Sequence, residues 1–306
     1  MADFTSEFWN LYVMIITVVS VIGCGVFLWM LSRQKVKPGA DPGTTGHVWD
    51  ENLQEYNNPL PRWWMMLFYI TVVFSIVYLL LYPGLGRSSG ALGWTSTGQH
   101  TRELEKAAKE YGPIYAKYAS MTLDDVAKDP AGLAIGQRIF LNNCAQCHGS
   151  DGRGAKGFPN LADNDWLWGN TAEAIKTSVL AGRQGVMPPM GAALGSPQAV
   201  ENVANYVLSL SGSPHDEAKA AAGKPLFAAC AACHGADGKG NIAMGAPNLT
   251  DDVWLHGWGE NAIVNMINNG KNNQMPAQAS KLTEGQIHVL ASYIWGLSNV
   301  KAAAAK

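Results

Sequence analysis

Two stretches of the chain are apolar on every side. Residues 8–31 read FWNLYVMIITVVSVIGCGVFLWML, without a charge, and residues 63–82 read WWMMLFYITVVFSIVYLLLY, again without one. Each is close to the length of about 20 residues that crosses a hydrocarbon core. Trp9, Tyr12 and Trp29 flank the first and Trp63, Trp64 and Tyr82 the second, as expected of rings that settle at a water interface. Both are expected to be transmembrane helices. A cleavable signal peptide fits the first run poorly, because Asp3 and Glu7 stand where such a peptide carries positive charge. After the second run, Pro83-Gly84-Leu85-Gly86 breaks the helix and residues 87–98, rich in Ser, Gly and Thr, read as a linker. Residues 101–118 have an amphipathic helical pattern with many Lys and Glu. Beyond them the patterns are helical, and no strand-like alternation of convincing length appears.

The remainder is a tandem repeat. Cys144-Ala-Gln-Cys147-His148-Gly149 returns as Cys230-Ala-Ala-Cys233-His234-Gly235, and Asp151-Gly152 as Asp237-Gly238. Pro159-Asn160-Leu161 returns as Pro247-Asn248-Leu249, Trp166-Leu167 as Trp254-Leu255, and Met187-Pro188 as Met275-Pro276. The expected organisation is a first transmembrane helix within residues 1–37, a loop over 38–62, a second transmembrane helix over 63–83 and a linker with a connector helix over 84–129. Two small helical domains follow, over 130–213 and 214–306.

Charge decides the orientation and removes some function classes. Arg33, Lys35, Lys37 and Arg62 lie between the spans, so the positive-inside rule puts the 38–62 loop in the cytoplasm and both repeats outside, in the periplasm of a Gram-negative cell. Charged residues make up only 15% of the chain, against a usual share of about 25%. With 22 Lys+Arg against 24 Asp+Glu there is no basic excess for a nucleic acid. The five cysteines cannot form a fully paired disulfide framework.

The chemistry lies in the two Cys-x-x-Cys-His motifs. Two thiols one helical turn apart can bond the two vinyl groups of a haem, and the adjacent His then serves as the proximal iron ligand. The residues so assigned are Cys144, Cys147 and His148, and Cys230, Cys233 and His234, giving two covalently bound c-type haems. A zinc site would need two further ligands per unit, and no such pair follows. Met187 and Met275 stand in equivalent loops rich in Gly, Pro and Asn, each followed by Pro. They are the candidates for the distal iron ligands; thioether opposite imidazole closes the site and suits it to passing electrons. Met190 and Met244 are substitutes without a counterpart in the other repeat. Cys24 sits within the first span and is read as a small hydrophobe. His47, His100, His215, His256 and His288 show no repeat or metal spacing and are read as surface or packing residues.

Residues 130–299 resemble tandem class I cytochromes c. That resemblance implies that Pro159 and Pro247 supply the carbonyls that orient the axial histidines. It also implies that Gly136 and Phe140, and Gly223 and Phe227, belong to an N-terminal helix that crosses a C-terminal helix carrying Tyr206 or Tyr293. The segments Gly46-His47-Val48-Trp49-Asp50 and Asn57-Asn58-Pro59-Leu60-Pro61-Arg62-Trp63-Trp64 narrow the likeness. The whole chain resembles the dihaem subunit III, the CcoP/FixP type, of cbb3-type cytochrome c oxidases, although many members have one span where this chain has two. The implied fold is all-α: two N-terminal transmembrane helices followed by two tandem class I cytochrome c domains. The implied place is the bacterial inner membrane, multi-pass, with the haem domains periplasmic and membrane lipid around the spans.

The implied activity is electron relay without a catalytic residue of its own. The subunit would accept electrons from a periplasmic or membrane-anchored cytochrome c and pass them to a monohaem cytochrome c subunit and the haem–copper catalytic subunit. The family pattern also suggests that each loop methionine reaches the other domain's haem, which spacing alone does not decide. The competing readings are a membrane dihaem cytochrome c serving a dehydrogenase or another reductase and, from a different class, a haem-based sensor or peroxidase with an open iron.

Overall fold

A helix that is apolar all round has no face to give to water, whereas one with a single apolar stripe can close a soluble core. Both kinds are present. The computed structural model describes residues 4, 6–33, 36, 37 and 39–304; Asp3 and Lys35 lie outside the described residues. The chain divides into two units, residues 1–109 and 110–306.

In the first unit, α1 (Glu7–Ser32) and α2 (Arg62–Leu81) are long and apolar enough to cross a membrane. Leu28 is the one buried residue of α1, and α2 has none. Exposed to water, each large apolar side chain would forgo about 1.5–3 kcal/mol of burial, so lipid or other apolar helices are the surroundings these surfaces fit. The helices run antiparallel. Ser32 Oγ and Tyr69 Oη share a hydrogen bond of 3.3 Å, and Gly25 faces Val72. At the opposite end Arg87 N donates to Asn10 Oδ1 at 2.9 Å and the Arg87 guanidinium pairs with Glu7. Between the helices, β1 (Thr44–Trp49) and β2 (Leu53–Tyr56) form an antiparallel hairpin with Trp49 opposite Leu53 and Val48 opposite Gln54. The strands are exposed throughout; their short mixed alternation gave no strand signal. Helix α3 (Ser96–Ala119) contains the amphipathic stretch and carries the chain into the second unit.

The second unit runs α4 (Leu123–Val126), α5 (Pro130–Asn143), α6 (Ala145–His148), α7 (Ala172–Ala181), β3 (Arg183–Met187), α8 (Gly191–Leu194) and α9 (Pro197–Leu210). It continues with α10 (Glu217–Gly223), a 3₁₀ turn (Pro225–Phe227), α11 (Ala228–His234), α12 (Glu260–Asn269), β4 (Lys271–Met275) and α13 (Glu284–Ala304). Side-chain caps start the principal helices: Asp129, Thr171, Ser196 and Asp216 accept from the backbone N–H groups of Gly132, Ala174, Ala199 and Lys219. Each satisfies one of the N–H groups a helix start leaves unpaired.

The two packed cores are not the two successive repeats. Ile139 and Phe140 of α5, with Ile175 and Val179 of α7, are buried against Ile287, Leu290, Ala291 and Ile294 of α13, the last helix of the second repeat. The last helix of the first repeat, α9, contributes Val200, Val203, Ala204, Val207 and Leu208 to the core of Phe227 and of Ile263 and Ile267 from α12. Each repeat thus hands its final helix to the other.

The crossing explains the exchange. One residue separates α7 from β3 and one separates α12 from β4, so the chain leaves each helix directly into a strand. A five-residue strand carries it about 16 Å onward. The two strands meet antiparallel, with Arg183 opposite Met275 and Met187 opposite Lys271. This small ladder is the strand structure that the sequence did not announce.

The expected close helix crossings are present, with exchanged partners. A Cβ on Gly136 of α5 would lie 2.5 Å from Tyr293 Cβ and 2.8 Å from the Val289 carbonyl of α13. A Cβ on Gly223 of α10 would collide with the Asn202 carbonyl of α9. The aromatic pairs are Phe140 with Tyr293, at 5.6 Å between ring centroids, and Tyr206 with Phe227, at 5.3 Å.

Candidate functional site

Each Cys-x-x-Cys-His motif lies on a short helix ended by a glycine at positive φ: α6 before Gly149 (φ 77°) and α11 before Gly235 (φ 79°). The helical turn puts Cys144 and Cys147, and Cys230 and Cys233, three residues apart on one side, where neighbouring turns of a helix meet. All four are free thiols. Burial, and secondarily the neighbouring Cys147 thiol, pushes Cys144 up to about 11, and burial followed by Cys233 raises Cys230. As free groups both therefore stay protonated at neutral pH.

His148 and His234 are 9% and 8% exposed. His148 Nδ1 donates to the Pro159 carbonyl at 2.9 Å and His234 Nδ1 to the Pro247 carbonyl at 3.1 Å. A proton held at Nδ1 leaves the Nε2 lone pair free, the state in which imidazole binds a metal. The two prolines stand in turns that follow the motifs, and their rings lock the backbone that presents the carbonyls.

Met275 packs against the core that holds Cys144, alongside Leu161, Trp166 and Tyr293. Met187 packs against the core that holds Cys230, alongside Leu249, Trp254 and Tyr206, and Met190 joins it there. The geometry therefore brings each motif together with the methionine of the other repeat. Met244 is 51% exposed and belongs to neither core. Met187 and Met275 lie at opposite ends of the same ladder, a symmetry Met190 does not share.

One pair of residues was passed over in the sequence. Trp166 Nε1 and Trp254 Nε1 are buried N–H groups without a hydrogen-bond partner among the described residues. An unsatisfied buried donor costs about 1–3 kcal/mol, so its recurrence at the same place in both halves marks a place where an acceptor belongs. The signal that could have found them is the recurrence of Trp-Leu, which was visible without a chemical role. A carboxylate-bearing haem fits this donor, and with it the thiol pair, the free imidazole nitrogen and the thioether in each core. Of the remaining histidines, His288 is buried with its Nε2–H donating to the Met121 carbonyl at 3.1 Å, which makes it a packing residue.

Comparison with known proteins bears on all of this. Residues 41–89 match the family model described as the N-terminal domain of cytochrome oxidase-cbb3, FixP, and residues 131–207 and 218–294 each match that for cytochrome c oxidase, cbb3-type, subunit III. The chain is 59% identical to the cbb3-type cytochrome c oxidase subunit CcoP of Rubrivivax gelatinosus over 306 residues, the whole of both chains. It is 42% identical to the subunit FixP of Azorhizobium caulinodans over 83% of this chain and 92% of that one. With CcoP of Cereibacter sphaeroides it shares 40% over 86% and 97%. Paired apolar helices, two cytochrome c domains and full-length similarity agree, and the chain belongs to the CcoP/FixP family of cbb3-type cytochrome c oxidase subunits.

Proposed function

We propose that the chain holds two covalent haems c and relays electrons through them from a periplasmic or membrane-anchored cytochrome c towards the monohaem and haem–copper subunits of the oxidase. Cys144, Cys147 and His148 would hold one haem, and Cys230, Cys233 and His234 the other. Met275 would hold the iron of the first haem together with His148, and Met187 that of the second together with His234. When bound, the haem supplies a one-electron Fe(III)/Fe(II) couple. The protein does the rest without a catalytic residue. Pro159 and Pro247 hold the imidazoles in the ligating tautomer, Trp166 and Trp254 would offer their buried N–H groups to an acceptor on the bound group, and the thioethers would favour its reduced state. The domains over 130–213 and 214–306 each carry one attachment motif, while their cores share helices. The haem halves face the periplasm, since Arg33, Lys37 and Arg62 bracket the loop between the spans.

The observation that carries this reading is the repeated pair of histidine-to-proline-carbonyl bonds, 2.9 and 3.1 Å, each beside a methionine and a partnerless indole N–H. Haem content of the purified, denatured chain tests it. The expected value is two haems per chain, one remaining after Cys144→Ala with Cys147→Ala and one after Cys230→Ala with Cys233→Ala. Extraction of all haem by acid acetone from the unaltered chain would overturn it.

A further inference from the structure

The halves of the second unit correspond residue for residue from Trp166/Trp254 through Met187/Met275, and at one pair of equivalent places they part company. In the first half the space is filled and satisfied. The Arg183 guanidinium lies over the Trp168 ring, 4.9 Å from its centroid, with Nε bonded to Ser178 Oγ at 2.8 Å and Nη2 to the Ala174 carbonyl at 3.4 Å. In the second half His256 stands in the place of Trp168, Lys271 in that of Arg183 and Asn261 in that of Glu173. Opposite them Lys156 reaches Gly257, as Ile242 reaches the equivalent Gly169 in the other half. What results is a cavity of about 720 Å³ between Lys156, His256, Lys271 and the α12 residues Asn261, Asn265 and Asn269.

The cavity is cationic and uncompensated. Among the described residues no carboxylate lines it, and neither Lys156 nor Lys271 has a carboxylate within 4.0 Å. His256 Nε2 accepts from Asn273 Nδ2 at 2.8 Å, which leaves its Nδ1–H as a further free donor. A backbone bond from Gly157 N to the Leu255 carbonyl, 2.7 Å, holds the Lys156 and His256 loops together. Burial, then the Lys271 and Lys156 ammonium groups, keep the His256 imidazole below its ordinary pKa, as expected of cations facing one another with nothing between them. Asn261, Asn265 and Asn269 recur every fourth residue on the face of α12 turned from the core that Ile263 and Ile267 enter. Their carboxamides both donate and accept. The volume lies within the range of about 300–1,000 Å³ typical of small-molecule sites.

We propose that this cavity binds a phosphate-bearing polar ligand of nucleotide size. Lys156, Lys271 and His256 Nδ1–H hold the phosphate oxygens, and the α12 asparagines hold the polar remainder. The phosphate comes either from a soluble polyphosphate or from a phospholipid headgroup.

The test uses the whole haem-loaded oxidase complex in a nonionic, phosphate-free detergent and reads amide hydrogen exchange over residues 256–271. Pyrophosphate and ATP form one arm. Nanodiscs of phosphatidylglycerol against phosphatidylcholine form the other. Saturable protection by pyrophosphate or ATP assigns a soluble ligand, and protection only in phosphatidylglycerol assigns a lipid. In either case Lys156→Met, which removes the charge, and separately His256→Trp, which restores the residue of the other half, should weaken binding about tenfold or more, while Lys281→Ala outside the cavity should not. Protection in neither arm, or equal protection in the Lys156→Met and His256→Trp complexes, overturns the proposal.

Discussion

The two cores of the second unit share a plan and differ in what braces them. The first is clamped from outside by the connector: Tyr118 and Val126 are buried with Val289 of α13, Tyr118 Oη donates to Asp129 Oδ2 at 2.7 Å, and His288 reaches the Met121 carbonyl. Tyr115 of the same connector packs on it as well. Among the described residues the second core has no such cover. Lys219 of α10 instead bridges Glu201 of α9 and Glu260 of α12, at 2.9 and 3.1 Å. Partly exposed charges of that kind hold little in water and less in salt. Equivalent chemistry thus sits in unequally supported halves, and local opening favours the half with fewer buried contacts. The exchange of α9 and α13 nevertheless ties them together, because neither core closes without a helix from the other repeat.

The largest expected effect breaks or keeps the crossing itself. In a chain carrying Cys144→Ala and Cys147→Ala, Met187→His should lower the midpoint potential of the remaining haem by roughly 0.1 V or more, within the span of about 0.8 V that axial ligands set. Met275→His and Met190→His should leave it unchanged. In the reciprocal background, Cys230→Ala with Cys233→Ala, the sensitivity should move to Met275. Redox titration of both backgrounds decides between this pattern and the uncrossed one.

A core truncation sharpens the comparison next. Leu290 of α13 is fully buried in the first core, so Leu290→Ala should cost about 2–5 kcal/mol and loosen the His148 half, although Leu290 belongs to the second repeat. Denaturant unfolding followed through the charge-transfer absorption of Met-ligated ferric haem in the two single-haem backgrounds measures it. If the His234 half loosens instead, the exchange of helices is wrong.

The smallest effect separates the halves by pH. Burial, then the Lys176 ammonium, hold His288 below its ordinary value of 6.5. The unfolded chain therefore binds a proton that the folded one refuses. Stability contributed by this residue is complete above 6.5, declines as the pH falls towards the lowered folded value, and falls no further below it. Thermal midpoints of the His148 half should drop between pH 7 and 5, and His288→Gln should flatten that part of the profile. An unchanged slope in the variant would remove His288 as its source.

Much was legible because local chemistry writes itself in order along the chain. Residues 8–31 and 63–82 announced helices that cannot sit in water. The adjacency of Cys144, Cys147 and His148, and of Cys230, Cys233 and His234, needed nothing beyond one helical turn. The close crossings at Gly136 and Gly223 were legible only through the resemblance to class I cytochromes c, and a Cβ at either place would collide with the crossing helix. The β1–β2 hairpin and the β3–β4 ladder stayed hidden, since strands of four to six mixed residues leave too little alternation to read. Trp166 and Trp254 were visible as a repeat, but an unpaired N–H is a property of surroundings and has no sequence signature.

By itself, then, the sequence determined the apolar spans, the repeat and the set of groups each half offers: a thiol pair, an imidazole, a thioether and the turn proline. Which methionine accompanies which histidine was left to the tertiary structure. Each repeat offers a Phe on its first helix and a Tyr on its last, a pattern that does not say which helix closes which interface; the pairs formed are Phe140 with Tyr293 and Tyr206 with Phe227. The arrangement is built on the antiparallel pairing of β3 with β4, which carries each chain segment past its own core towards the other.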